Sequence, residues 1–186
     1  MRAFLAVPVA GEETVVRLRA LLSQLRDIRG LRPVSPHQLH FTLKFFEDLP
    51  EAKLAFAKEA AARAAAGSPA FSLNLSALGA FPPRGPARVL WVGCNKGGDS
   101  LVSLASAVEK EFTLEGFAPE ARPFSPHLTL ARVKDPRAAR DAGTFASANA
   151  SFDGGTIDVK ELILYHSVLG PGGAAHTPLL RARLGR

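Results

Sequence analysis

Two copies of a His-x-Thr-Leu tetrad are the residues of this chain best placed to do chemistry. The first is His40-Phe41-Thr42-Leu43, in the context SPHQLHFTLKFF; the second is His127-Leu128-Thr129-Leu130, in FSPHLTLARV. With five histidines in 186 residues, chance pairing with the few threonines gives about 0.2 His-x-Thr triplets. One copy would be ordinary sheet sequence, because threonine favours strands. Two copies, each just after a Ser-Pro step and each followed by leucine, are not. Side chains alternate along a strand, so His40 shares a face with Thr42, and His127 with Thr129. Two imidazoles titrating near neutrality can divide the roles of base and acid, each proton transfer contributing roughly 10²–10⁴-fold. A hydroxyl beside each can hold charge that develops on phosphoryl oxygens. That set suits the opening of a cyclic phosphodiester, where water loses a proton and a sugar oxygen gains one. The chemistry needs no metal.

The elements that must position these groups come twice in the same order. Ala3 to Val7 is a β-rich run broken by Pro8 and Gly11. Leu18, Leu21, Leu22 and Leu25 form an amphipathic helical stripe running to about Arg29. A loop with Pro33 and Pro36 leads to the first tetrad strand, Leu39 to Phe46. Pro50 opens an Ala-rich helix to Ala66, followed by a strand containing Phe71, Leu73 and Leu75. The order then restarts after the loop PPRGPAR. Val89 to Val92 is a strand, and Leu101, Leu104, Ala105 and Val108 a helical stripe. Pro119, Pro123 and Pro126 precede the second tetrad strand. Pro136 opens a third Ala-rich helix, Ala138 to Ala148. Strands near Ile157 to His166 and Leu179 to Leu184 finish the chain, separated by the turn GPGG. The tetrads stand about half the chain apart, as an internal duplication would place them. The pattern predicts one α+β domain over 1–186, with repeats of roughly 1–80 and 86–186. It forms two pseudo-equivalent lobes whose tetrad strands face a central cleft.

Composition fits a globular protein: 47% hydrophobic residues, with both charge signs spread along the sequence. The longest apolar runs are too short to span a bilayer, and no membrane association is expected. Cys94 is the lone cysteine, so no internal disulfide forms and a reducing cytoplasm is the expected setting. Lysine and arginine number 23 against 17 acids, a net charge of +6, which suits a polyanionic partner.

The paired tetrads resemble those of the two-histidine phosphoesterase superfamily. Their flanks RAFLAVPV, LHFTLKFF, ARVLWVG, FSPHLTLARV and LILYHSVLGPGG are similar to the RNA 2′,3′-cyclic phosphodiesterases, also called 2′-5′ RNA ligases. These pieces cover nearly the whole chain in the family's order. The resemblance implies a bilobal α+β fold with the tetrads on central strands of two antiparallel sheets and helices outside. It implies cofactor-free, metal-independent hydrolysis of an RNA terminal 2′,3′-cyclic phosphate to a 2′-phosphate, with reversible 2′-5′ joining of RNA ends as a secondary activity. It carries over His40 as proton donor and His127 as proton acceptor, with Thr42 and Thr129 on the phosphate. RNA ends or nucleoside 2′,3′-cyclic phosphates are the expected partners, and the protein is expected to be a monomer. Where relatives have Phe-Leu-Gly after the first tetrad, this chain has Phe45, Phe46 and Glu47.

Two cations extend the candidate site. Lys44 is in phase with His40 and Thr42 and would add charge to the cleft. Arg132 holds a family position associated with the phosphate but is out of phase with His127. It reaches the site only if the strand bulges after Leu130. His37, His166 and His176 have no cysteine or carboxylate cluster beside them and make a poor metal set. Tyr165, Phe124 and Trp91 fit core packing better than base stacking. Two alternatives use the same residues differently. One is a phosphodiesterase for another small nucleotide, such as a 2′-5′ oligonucleotide or an ADP-ribose cyclic phosphate. The other is a non-catalytic RNA-end-binding module, which has no need to keep both His-x-Thr pairs in phase.

Overall fold

The computed structural model describes residues 1–170 and 173–185; Pro171 and Gly172 of the turn GPGG lie outside the described residues. Nine strands and four helices follow in the order β1 (Ala3–Pro8), α1 (Glu12–Arg26), β2 (Leu31–Pro33), β3 (His40–Phe46), α2 (Leu54–Ala66), β4 (Phe71–Phe81), β5 (Val89–Cys94), α3 (Gly98–Leu114), β6 (Leu128–Val133), α4 (Ala139–Ala148), β7 (Asp153–Val159), β8 (Glu161–Gly170) and β9 (Gly173–Arg183). The strands make two antiparallel sheets, ordered β3-β1-β8-β9 and β2-β6-β5-β4-β7. The predicted α+β class and pseudo-twofold duplication are both present. β1, β3, β8 and β9 of the first sheet correspond in order to β5, β6, β4 and β7 of the second.

Helical periodicity placed the helices well. Leu18, Leu21, Leu22 and Leu25 of α1 are buried, as are Leu101, Leu104, Ala105, Val108 and Phe112 of α3. In α2 the buried stripe is alanine alone, which lets the helix sit close against α3 and β9. One contiguous apolar core joins both sheets, with Phe41 and Leu43 from β3 meeting it as Leu128 and Leu130 do from β6. Burying these four tetrad neighbours turns the histidines and threonines to the opposite face.

Three expectations change. β3 is the edge of its sheet, so the first tetrad strand is not central, whereas β6 lies inside its sheet between β5 and the three-residue β2. The run Ile157 to His166 is two strands: β7 pairs with β4 and β8 with β1, so the chain crosses between sheets at Lys160. β4, from the first half of the sequence, lies beside β5 of the second, while β8 and β9 close the first sheet. Each lobe is therefore assembled from both halves of the sequence. Among the described residues no helix is long and apolar enough to cross a membrane.

Candidate active site

His40 opens β3 and His127 immediately precedes β6, and these two strands approach with Cα atoms within 8 Å of each other where the sheets meet. Both rings are held the same way. Nδ1–H of His40 donates to the Gln38 carbonyl at 2.6 Å, and Nδ1–H of His127 donates to the Ser125 carbonyl at 2.7 Å. A carbonyl can only accept, so each contact fixes the tautomer and leaves Nε2 as the nitrogen free to take or give a proton. Ser125 precedes Pro126 and is biased to the extended backbone that presents its carbonyl back to the ring. Each imidazole also has an aromatic support. Phe4 of β1 stacks on His40 at 4.6 Å between centroids and 22°, and Phe81 of β4 meets His127 edge-on at 5.2 Å and 85°.

The surroundings of the two rings differ. His40 has Tyr165 and His176 near it, the His176 ring edge-on at 5.8 Å. Burial pushes the His40 imidazole down to about 4, the Gln38 hydrogen bond opposing this and His176 adding to it. His40 is thus neutral at pH 7 in the unliganded protein. Burial also lowers His176, whose Nδ1 is buried with no hydrogen-bond partner. Behind His127, Phe81 leans on Trp91, and the indole lies so close over Gly79 that a Cβ there would collide with it.

Beyond each tetrad, a bulge sets the phase of the strand. On β3 the pairing steps from Thr42 opposite Ala6 to Lys44 opposite Leu5; on β6 it steps from Thr129 opposite Trp91 to Ala131 opposite Leu90. One residue is left over each time, and it is the tetrad leucine, Leu43 or Leu130. An extra residue reverses the phase of everything after it. Lys44 is therefore not beside the histidine. It is 3% exposed on the core-facing side, bonded to Glu109 of α3 at 2.7 Å and to the Ala118 carbonyl at 3.1 Å. The expectation that Lys44 adds charge to the cleft is corrected. The same shift has the opposite effect on Arg132, which it returns to the face of His127 and Thr129. Phe45 takes the corresponding place on β3, with the Arg2 guanidinium 4.7 Å above its ring.

Other candidates lie apart. His37 is exposed in the 3₁₀ turn Pro36–Gln38, and His166 is paired with Ala3 on the face of β8 opposite Tyr165. Among the described residues no group of three or more His, Cys, Asp or Glu is arranged to hold a metal ion. Two concavities of about 720 and 970 Å³, one under α4 and one beside β7, include no tetrad residue. Sequence reading missed the supporting aromatics Phe4 and Phe81, and the carbonyls of Gln38 and Ser125. Phe4 and Phe81 read simply as strand hydrophobes, and backbone carbonyls carry no residue signature. The one available signal was the Ser-Pro context repeated near each tetrad.

An α+β duplication that brings two identically held imidazoles, each with a threonine on the same face, to the junction of two antiparallel sheets has the architecture of a two-histidine phosphoesterase. Within that class the chain belongs to the 2′-5′ RNA ligase superfamily, which it matches over residues 7–170. It is 33% identical to an RNA 2′,3′-cyclic phosphodiesterase of Methanothermobacter thermautotrophicus, over 99% of both chains. Among solved structures, TT0787 of Thermus thermophilus superposes with a TM-score of 0.82 at 30% identity, covering 99% of this chain and 98% of that one. Escherichia coli LigT complexed with 3′-AMP gives a TM-score of 0.77 at 26% identity, covering 100% and 98%.

Proposed function

We propose that this protein is an RNA 2′,3′-cyclic phosphodiesterase that hydrolyses a terminal cyclic phosphate to a 2′-phosphate by proton transfer between His40, His127 and substrate, without a metal. The observation that carries this reading is the matched pair of Nδ1–H···O=C contacts, which leaves a free Nε2 on each of two approaching strands. Water attacks phosphorus as its proton passes to Nε2 of His127. The bond from phosphorus to the 3′ oxygen breaks as His40 supplies a proton to that oxygen. The products are a 3′-hydroxyl and a 2′-phosphomonoester, and the starting state returns when His127 gives its proton to solvent and His40 takes one up. Thr42 and Thr129 hold the phosphoryl oxygens, and Arg132, further along the same face as Thr129, binds substrate phosphate beside them. His40 as donor must be charged, yet burial keeps it neutral in the free protein. The phosphodiester's own negative charge, arriving beside a desolvated ring, favours the imidazolium. The donor is thus armed by its substrate. The relatives' activity and the nucleotide complex of LigT support an RNA-end or nucleotide substrate. With a 5′-hydroxyl in place of water as the nucleophile, the same displacement would join RNA ends 2′-5′, and its reversal would part them.

The test is incubation of the purified protein with nucleoside 2′,3′-cyclic monophosphates in the presence of EDTA, with the phosphate isomer identified. Only the 2′-phosphate should appear, and His40→Ala and His127→Ala should each cost roughly 10²-fold or more. Activity abolished by EDTA and restored by Zn²⁺ would overturn the mechanism.

A further inference from the structure

Resting on the reading above, we infer that Arg32 and Arg132 form a second phosphate site, which takes the phosphodiester on the 5′ side of the terminal nucleotide and makes a strand of RNA the preferred substrate. The two arginines stand directly opposite one another, Arg32 on β2 against Arg132 on β6. Like charges in register on neighbouring strands oppose each other and destabilise the pair unless something anionic lies between them. Among the described residues neither makes a salt bridge. Both are exposed. Charge on an edge strand can serve only to discourage edge-to-edge pairing. That accounts for Arg32 alone, and not for a second arginine set opposite it on the next strand in.

Position identifies the anion. The bulge at Leu130 puts Arg132 on the same face as Thr129. Their partners on β5, Val89 and Trp91, are two residues apart, so the arginine pair begins roughly 7 Å along the strand from the threonine and extends about 5 Å further across to β2. That is beyond the phosphoryl group held between the tetrads but next to it. The Arg32 guanidinium does not project freely: a Cβ on Gly173 would lie 3.2 Å from its Nη2. Gly173 begins β9, and the neighbouring Ala174 carbonyl accepts a hydrogen bond from Gln38 Nε2 at 2.5 Å. Gln38 is the residue whose own carbonyl orients His40. Arg32 is thus seated against the start of β9, which is tied to the segment that positions the first imidazole. Guanidinium groups match phosphate oxygens bidentately. RNA carries such a group one nucleotide from its end, and a free mononucleotide does not.

The experiment compares kcat/KM on three substrates: a nucleoside 2′,3′-cyclic phosphate, the same compound with a 5′-phosphate, and a short single-stranded RNA ending in that cyclic nucleotide. The wild-type protein should favour the RNA, and Arg32→Gln should lower the ratio of RNA to mononucleotide by about tenfold or more. The slope of log kcat/KM against log salt on RNA should flatten by about 0.7 for the lost phosphate contact. Arg32→Lys should keep the salt slope while recovering only part of the ratio, and thermal unfolding of both variants checks that they fold. If the 5′-phosphate alone supplies the whole advantage, the site takes a terminal phosphate and the preference for a strand is overturned. An unchanged ratio in Arg32→Gln overturns the second site while leaving the hydrolase intact. Wild-type protein inert on all three substrates overturns the parent reading, and this one with it.

Discussion

His40 must be charged to donate a proton, and its surroundings oppose that charge. Its ring is stacked on Phe4, faced by His176 and desolvated, and it releases its proton at about 4. Between that value and the ordinary imidazole value near 6.5, the unfolded chain binds a proton that the native one does not. Stability therefore rises with pH across this window and is lost as pH falls through it, by at most about 3 kcal/mol. Burial of His176 adds a loss of the same sign. Denaturant midpoints at pH 4.5 and pH 7 should differ in the wild type, and His40→Gln should shrink that difference; an undiminished difference would mean the ring is not held neutral. Kinetics tests the substrate's part. The profile of kcat/KM reports the free enzyme and that of kcat the complex, so the limb belonging to His40 should move to higher pH in kcat. A limb at the same pH in both would leave the donor without its substrate-supplied charge.

Among the elements, β3 and β6 show what a sequence can and cannot disclose. Period-two alternation correctly assigned His40, Thr42, His127 and Thr129 to one face and the four apolar neighbours to the core, because burial enforces that alternation. It failed at the next residue in both strands. A bulge is a matter of pairing with the adjacent strand, and nothing in KFF or ARV names the partner, so Lys44 and Arg132 exchanged their expected places. The edge position of β3 was hidden for the same reason, since strand order is set by contacts remote in sequence. The corrected places have measurable consequences. Lys44→Met should cost about 2–3 kcal/mol, below the figure for a fully buried pair, because Glu109 is 27% exposed and its other oxygen keeps the Glu120 N–H. kcat/KM of the folded variant should fall by less than about threefold, whereas Arg132→Gln should lose about tenfold or more. A large kinetic loss in Lys44→Met at unchanged stability would put the lysine back on the phosphate.

At the scale of the whole molecule, the exchange of strands between halves decides how the protein folds. The first half of the sequence contributes β1 and β3 to one sheet, yet that sheet is completed by β8 and β9 from the end of the chain. The same half sends β4 into the other sheet, between β5 and β7. Cutting in the loop between β4 and β5 would leave 1–84 with two unfinished sheets and 85–186 with two more, each exposing strand edges and half of a shared core. Most of the pairing that joins the halves is distant in sequence, so neither fragment has local contacts enough to offset its ordering entropy. Each fragment alone should show no sigmoidal unfolding in urea and no dispersed amide spectrum. Mixed in equal amounts, they should recover one cooperative transition together with hydrolase activity, because the tetrads meet only where the sheets do. A cooperative transition in either fragment by itself would show that the duplication still contains two independent folding units.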